Sequence, residues 1–260
     1  MKTLISALFL ICSGLAASAH ELWLEAEEWQ VSAGEAIRLH MRNGEKLKGL
    51  DLAWFENRID RLERIASGAV EPIQGRMGDV PAVQVPAVAG LNVVLYQSPP
   101  SKLTYDSWAK FENFLNQKDL AWAFDVHAAR GWAEEGVTEL YTRHVKALVG
   151  AGAGGADRPT GMETEFVALA DPYAGGLAAM LVQLFYQGKP RADAQIEVFA
   201  RDAAGEVTVS LARTDAEGRA VIPVVAGHMY LLDAVVLREA RPESGVLWES
   251  LWAALTFAAP

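Results

Sequence analysis

The sequence predicts a mainly β protein, with two immunoglobulin-like or transthyretin-like β-sandwich domains and a helical insertion between them. Three observations predict it. Short stretches with apolar residues at every second position recur along most of the 260 residues, separated by turns rich in Gly, Asp, Asn and Pro. One block, residues 102–149, loses that alternation and takes a helical spacing. A glycine-rich stretch, 150–161, parts the two strand-rich regions. The expected organisation is a signal peptide over 1–19, an N-terminal sandwich over 20–101, the helical insertion over 102–149, the linker over 150–161 and a C-terminal sandwich over 162–260.

The leader comes first. Lys2 precedes an apolar run from Leu4 to Leu15 that is too short to span a bilayer, and Ala17-Ser18-Ala19 offers a small-x-small cleavage site. The expected cut lies between Ala19 and His20, and the expected location is periplasmic or secreted. Cys12 is the only cysteine, so the remaining chain has neither disulfides nor thiolate ligands and must rely on core burial. The full chain carries 23 basic and 33 acidic residues, a formal net charge of −10. That balance disfavours nucleic acid as a partner, and no later segment is apolar for long enough to insert into a membrane.

Strands are expected from His20 to Glu25, from Ala36 to Arg42 with Ile37, Leu39 and Met41 on one face, around the two prolines of Val80–Val88, and from Leu91 to Tyr96. In the insertion, Ser107–Asn116 places Trp108, Phe111, Phe114 and Leu115 on one helix face. Asp119–Arg130 repeats this with Leu120, Ala123, Phe124 and His127. Thr138–Leu148 repeats it again with Leu140, Tyr141, His144, Val145 and Leu148, and Glu139 and Arg143 stand four apart as a helical ion pair. After the linker, strands are expected at Thr164–Leu169, Ala179–Tyr186, Ala194–Ala200, Ala220–Val225, Met229–Leu237 and Ser250–Phe257.

Four segments carry a resemblance to a known family: "AHELWLEA" after the leader, "ELYTRHVKALV", "ETEFVALADPYAG" and the terminal "WESLWAALTF". Their order and spacing resemble the exported bacterial proteins with the DUF4198 domain, earlier described as a nickel-uptake component. The resemblance covers nearly all of the chain after the leader. It implies a periplasmic protein linked with nickel or cobalt uptake, and no established reaction. The chain departs from the expected pattern near Val236, where a histidine is expected, and at His144, where some relatives carry an aromatic residue.

The residue chemistry points the same way. Cleavage would leave His20 with a free α-amine beside its imidazole, a bidentate nitrogen chelate suited to copper, nickel and zinc. Its expected partner is His144, because that histidine lies in a family-matching segment. Of the others, His40 is expected at the surface between Arg38 and Arg42, His127 packed in a helix and His228 exposed in a turn. Most of the eight tryptophans are expected in the core. Hydrolase elbows and phosphate-binding loops are missing from the sequence, and no Gly-x-Gly-x-x-Gly follows an expected strand.

The expected function is therefore non-catalytic: binding nickel, cobalt or copper as an uptake accessory, with a transporter component as partner and His20 and His144 as ligands. Two other classes stand beside it. One is a metal-free sandwich module that recognises protein or glycan. The other is a copper-dependent polysaccharide oxygenase, which needs a second coordinating histidine and a flat aromatic surface.

Overall fold

The computed structural model describes residues 20–152 and 154–260; the predicted leader and its cleavage bond lie outside the described residues. The described chain is mainly β, with several sheets and two short helices. In chain order the strands are β1 Glu21–Ala26, β2 Ala36–Glu45, β3 Lys48–Leu52, β4 Arg61–Ala66, β5 Ala69–Pro72, β6 Val83–Pro86, β7 Gly90–Gln97 and β8 Ser101–Thr104. Helices α1 Trp108–Gln117 and α2 Trp122–Ala129 follow, and then β9 Thr138–Ala151. The remainder is β10 Thr164–Ala168, β11 Ala179–Tyr186, β12 Lys189–Pro190, β13 Gln195–Arg201, β14 Val207–Arg213, β15 Arg219–Pro223, β16 Met229–Glu239 and β17 Trp248–Ala258.

A nine-stranded sheet runs through the molecule in the order β14-β13-β16-β17-β9-β7-β4-β5, with β8 also on β9. The last strand, β17, lies parallel to β9, with Trp252 opposite Arg143 and Ala254 opposite Val145. Strands from both sides of the glycine-rich stretch therefore share one hydrogen-bonded layer. A small sheet of β1, β2, β3 and β6 covers one face, and another of β10, β11, β12 and β15 covers the other. Strand alternation sorts the side chains between them. Val94, Tyr96, Val145, Ala147 and Ala254 join Trp23, Leu24, Ile37 and Leu39 in one core. Leu91, Val93, Leu95, Leu148 and Leu255 join Phe166, Met180 and Val182 in the other.

The two helices form a third core beside the first small sheet, on Val235, Leu237, Trp248 and Trp252. Ser107 caps α1 by accepting from the Lys110 backbone N–H, and Phe111, Phe114 and Leu115 are its buried face, as the spacing predicts. The third predicted helix is a correction. Thr138–Leu148 lies within β9, whose residues from Thr142 to Ala151 are all buried. A central strand covered on both faces has apolar residues on both sides, so the period of two that marks a half-exposed strand vanishes. The insertion accordingly holds two helices flanked by β8 and β9.

Candidate functional site

Where the first small sheet meets the long sheet, a cavity of about 390 Å³ opens. That volume lies within the usual range for small-molecule sites. His20 at the start of β1 and Asn43 on β2 stand on its small-sheet side, and β9 supplies Glu139, Tyr141 and Arg143. Tyr96, Ser98, Leu103, Tyr105 and Trp252 complete much of the wall.

Strand geometry brings Glu139, Tyr141 and Arg143 to one side of β9, since alternate residues share a face. The helical ion pair expected for Glu139 and Arg143 is thereby corrected. In an extended strand, four residues span about 13 Å, beyond salt-bridge reach. Glu139 is fully committed elsewhere. Its Oε2 accepts from the Tyr105 hydroxyl at 2.5 Å and its Oε1 from the Ser250 hydroxyl, which in turn accepts from Trp252 Nε1 at 2.8 Å. Burial raises the Glu139 carboxyl above its ordinary value, against the lowering pull of those hydrogen bonds.

Arg143 is only 8 % exposed, and its Nη1 has no hydrogen-bond partner among the described residues. Its guanidinium lies 3.9 Å from the Trp252 ring centre and 5.2 Å from that of Tyr141. Burial lowers its pKa, but an arginine starts so far above neutrality that it keeps its charge. Its backbone is pinned: the Arg143 N–H donates to Ser98 Oγ at 3.0 Å, and the Ser98 N–H donates to the Arg143 carbonyl at 3.0 Å.

Behind Trp252 lies a buried ionic cluster. Lys118, just after α1, contacts Glu197 and reaches Asp233 at 2.8 Å and Glu21 at 3.8 Å. Its Nζ is also 4.7 Å from the Trp252 ring centre. One ammonium faces three carboxylates, and burial together with Asp233 raises Glu21 to about 7. The cluster ties β1, β13 and β16 to the end of α1, which holds the cavity's back wall in place.

His20 is half-buried, and its Nε2 lies 3.9 Å from Glu45 Oε1. The expected partnership with His144 is a correction. His144 follows Arg143 on β9, so it points to the opposite face of the long sheet, and the two histidines do not share a site. There it is 2 % exposed, and burial lowers it to about 4. His40 is drawn into a carboxylate network, with Nε2 3.3 Å from Glu27 and Nδ1 3.2 Å from Asp51. His127 is packed and hydrogen-bonded as expected, accepting from Trp248 Nε1 at 3.3 Å. Among the described residues, no group of three or more His, Cys, Asp or Glu is arranged to hold a metal ion.

Comparison with known proteins adds one decisive match. A family model, described as a domain of unknown function (DUF4198), matches residues 17–238. The chain belongs to the DUF4198 family. No curated protein matches it. Among solved structures, this DUF4198 protein matches a "Crystal structure of tetra-tandem repeat in extending region of large adhesion protein" at 11% identity and a TM-score of 0.20. That alignment covers 93% of this chain and 50% of that one, so the DUF4198 chain spans about half of that structure's length.

Sequence reasoning missed Arg143, Glu139, Tyr105 and Trp252 as a group. The available signal was Glu139 and Arg143, which with Lys146 are the charged residues of a largely apolar segment. Read as a helix, they fall on a solvated face; on a buried strand, they line a cavity.

Proposed function

We propose that this DUF4198 protein is an exported, non-catalytic metal-handling protein, an accessory to nickel, cobalt or copper uptake that hands its ion to a transporter component. The observation that carries this reading is the setting of His20. His20 lines the cavity, and its Nε2 lies 3.9 Å from the Glu45 carboxylate, in ion-pair range and longer than a hydrogen bond. Metal-ligating histidines commonly turn one ring nitrogen to a carboxylate, which orients the ring and leaves the other nitrogen for the metal. After cleavage before His20, the ligating pair would be Nδ1 and the α-amine. Such a chelate has two donors on one residue, so it needs no cluster of three ligating side chains. A bound divalent ion would supply its charge and exchangeable coordination positions, and the protein would supply the oriented imidazole.

Calorimetric titration with nickel, cobalt, copper and zinc tests this. The chain beginning at His20 is compared with one bearing an extra alanine before it. Tight binding should disappear on extension, because the amine is moved while every side chain stays. E45Q should weaken binding by less than the extension does, because the carboxylate is half exposed and stands 3.9 Å from the ring. Affinity indifferent to the extension removes the proposal.

A second reading is a metal-free recognition module, and the unpartnered Arg143 in the cavity wall favours it. In both readings we take the two small sheets, each facing the long one, as two sandwich units that share a central layer.

A further inference from the structure

The cavity carries a charge imbalance that a chelate at His20 does not use. Its lining includes the cations Arg58 and Arg143 and, as its one carboxylate, Glu139, while Asp233 and Glu21 of the neighbouring cluster also act on Arg143. Both Glu139 oxygens are already engaged by Tyr105 and Ser250. The surrounding protein has a net charge of −10, so a basic cavity runs against the average of the molecule. Arg143 itself is more than nine-tenths buried, and its enclosed Nη1 has no acceptor among the described residues. A buried charged donor without an acceptor costs free energy, and an arriving acceptor removes that cost. The planar guanidinium fork matches a carboxylate. Around it, Leu22, Leu52, Tyr96, Leu103 and Tyr141 offer apolar and aromatic surface.

We infer that the cavity binds a small organic carboxylate, whose oxygens accept hydrogen bonds from the Arg143 guanidinium while its apolar body lies among the aromatic and leucine side chains. This does not depend on the metal reading, since neither the α-amine nor an ion takes part.

The test uses the chain beginning at His20, stripped of metal by dialysis against a chelator. Tryptophan fluorescence and calorimetry follow titration with benzoate, phenylacetate and succinate, each paired with its neutral amide. At least one carboxylate should bind saturably and at least tenfold more tightly than its amide. R143M should weaken that carboxylate at least tenfold and leave the amide unchanged. Should R143M not fold, R143K replaces it, with binding expected to be at least threefold weaker. The inference is overturned if no carboxylate binds saturably, if each amide equals its acid, or if the folded variant binds as the wild type does. The alanine-extended chain separates the two proposals: it should lose metal and keep the carboxylate within twofold.

Discussion

His144 shows how much one residue's facing decides. The sequence places it in a family-matching segment, and the alternation of β9 then turns it away from His20 into the opposite core. Burial there depresses its pKa from 6.5 to about 4. The unfolded chain takes up a proton as pH falls through 6.5, and the folded chain resists until about 4. The stabilising contribution of neutral His144 is therefore full above pH 6.5 and is lost progressively below it, up to about 3 kcal/mol. H144L lacks this titration. The stability of the wild type relative to H144L should fall by about 2 kcal/mol from pH 7.5 to pH 4.5, measured by denaturant unfolding. A difference independent of pH would show that the histidine titrates alike in both states. Lys146, two residues on, answers the same burial differently. It is 0% exposed yet reaches Asp157 at 3.2 Å and Glu165 at 2.8 Å, so its charge is paired where that of Arg143 is not.

At the scale of elements, β9 is the one most misjudged from sequence and the one most needed for the cavity. It pairs with β7, β8 and β17 and presents Glu139, Tyr141 and Arg143 together. Its end is fixed by a close approach. The Gly150 N–H donates to the Trp29 carbonyl, and the Val31 N–H donates to the Gly150 carbonyl, both at 2.9 Å. A Cβ at Gly150 would stand 2.8 Å from the Tyr173 ring, which is itself anchored by a hydroxyl hydrogen bond to the Leu148 carbonyl at 2.6 Å. G150A should therefore destabilise the protein by about 1–3 kcal/mol, the usual cost of overpacking. Chemical denaturation checks this, and an unchanged midpoint would mean that Tyr173 yields freely. The helices behave oppositely. The apolar spacing of α1 is legible because one face of it remains toward solvent.

At the scale of the whole molecule, the glycine-rich stretch suggests a boundary, while the hydrogen bonding crosses it. β17 sits between β16 and β9, so each half contributes strands that the other half completes. Fragments 20–152 and 161–260 would each expose a sheet edge and half of a core, which favours aggregation over folding. Expressed separately, they should lack the dispersed amide spectrum and cooperative melt of the intact chain, and mixing after co-refolding should restore both. Two separately folded fragments would overturn the shared-layer reading. The same layer places the cavity, because Trp252 comes from the last strand, Arg143 from β9 and His20 from the first residue before β1.

Composition, alternation and turn residues were enough to determine a mainly β chain, most of its half-exposed strands, the two helices and a packed His127, and the resemblance of four segments pointed to the DUF4198 family. These are local properties: a strand with one wet face, or a helix with one dry face, writes its own period. Only the tertiary structure decided that β9 is a strand, that His20 and His144 lie on opposite sides of the long sheet, and that Arg143 lines a cavity with its Nη1 unpaired among the described residues. A strand buried on both sides has no period to read. The partners of a buried charge come from positions more than a hundred residues away, as Ser250 and Trp252 do for the wall around Glu139 and Arg143. Spacing along the chain carries no record of such meetings, because the sheet order that creates them is set by the packing of the whole molecule.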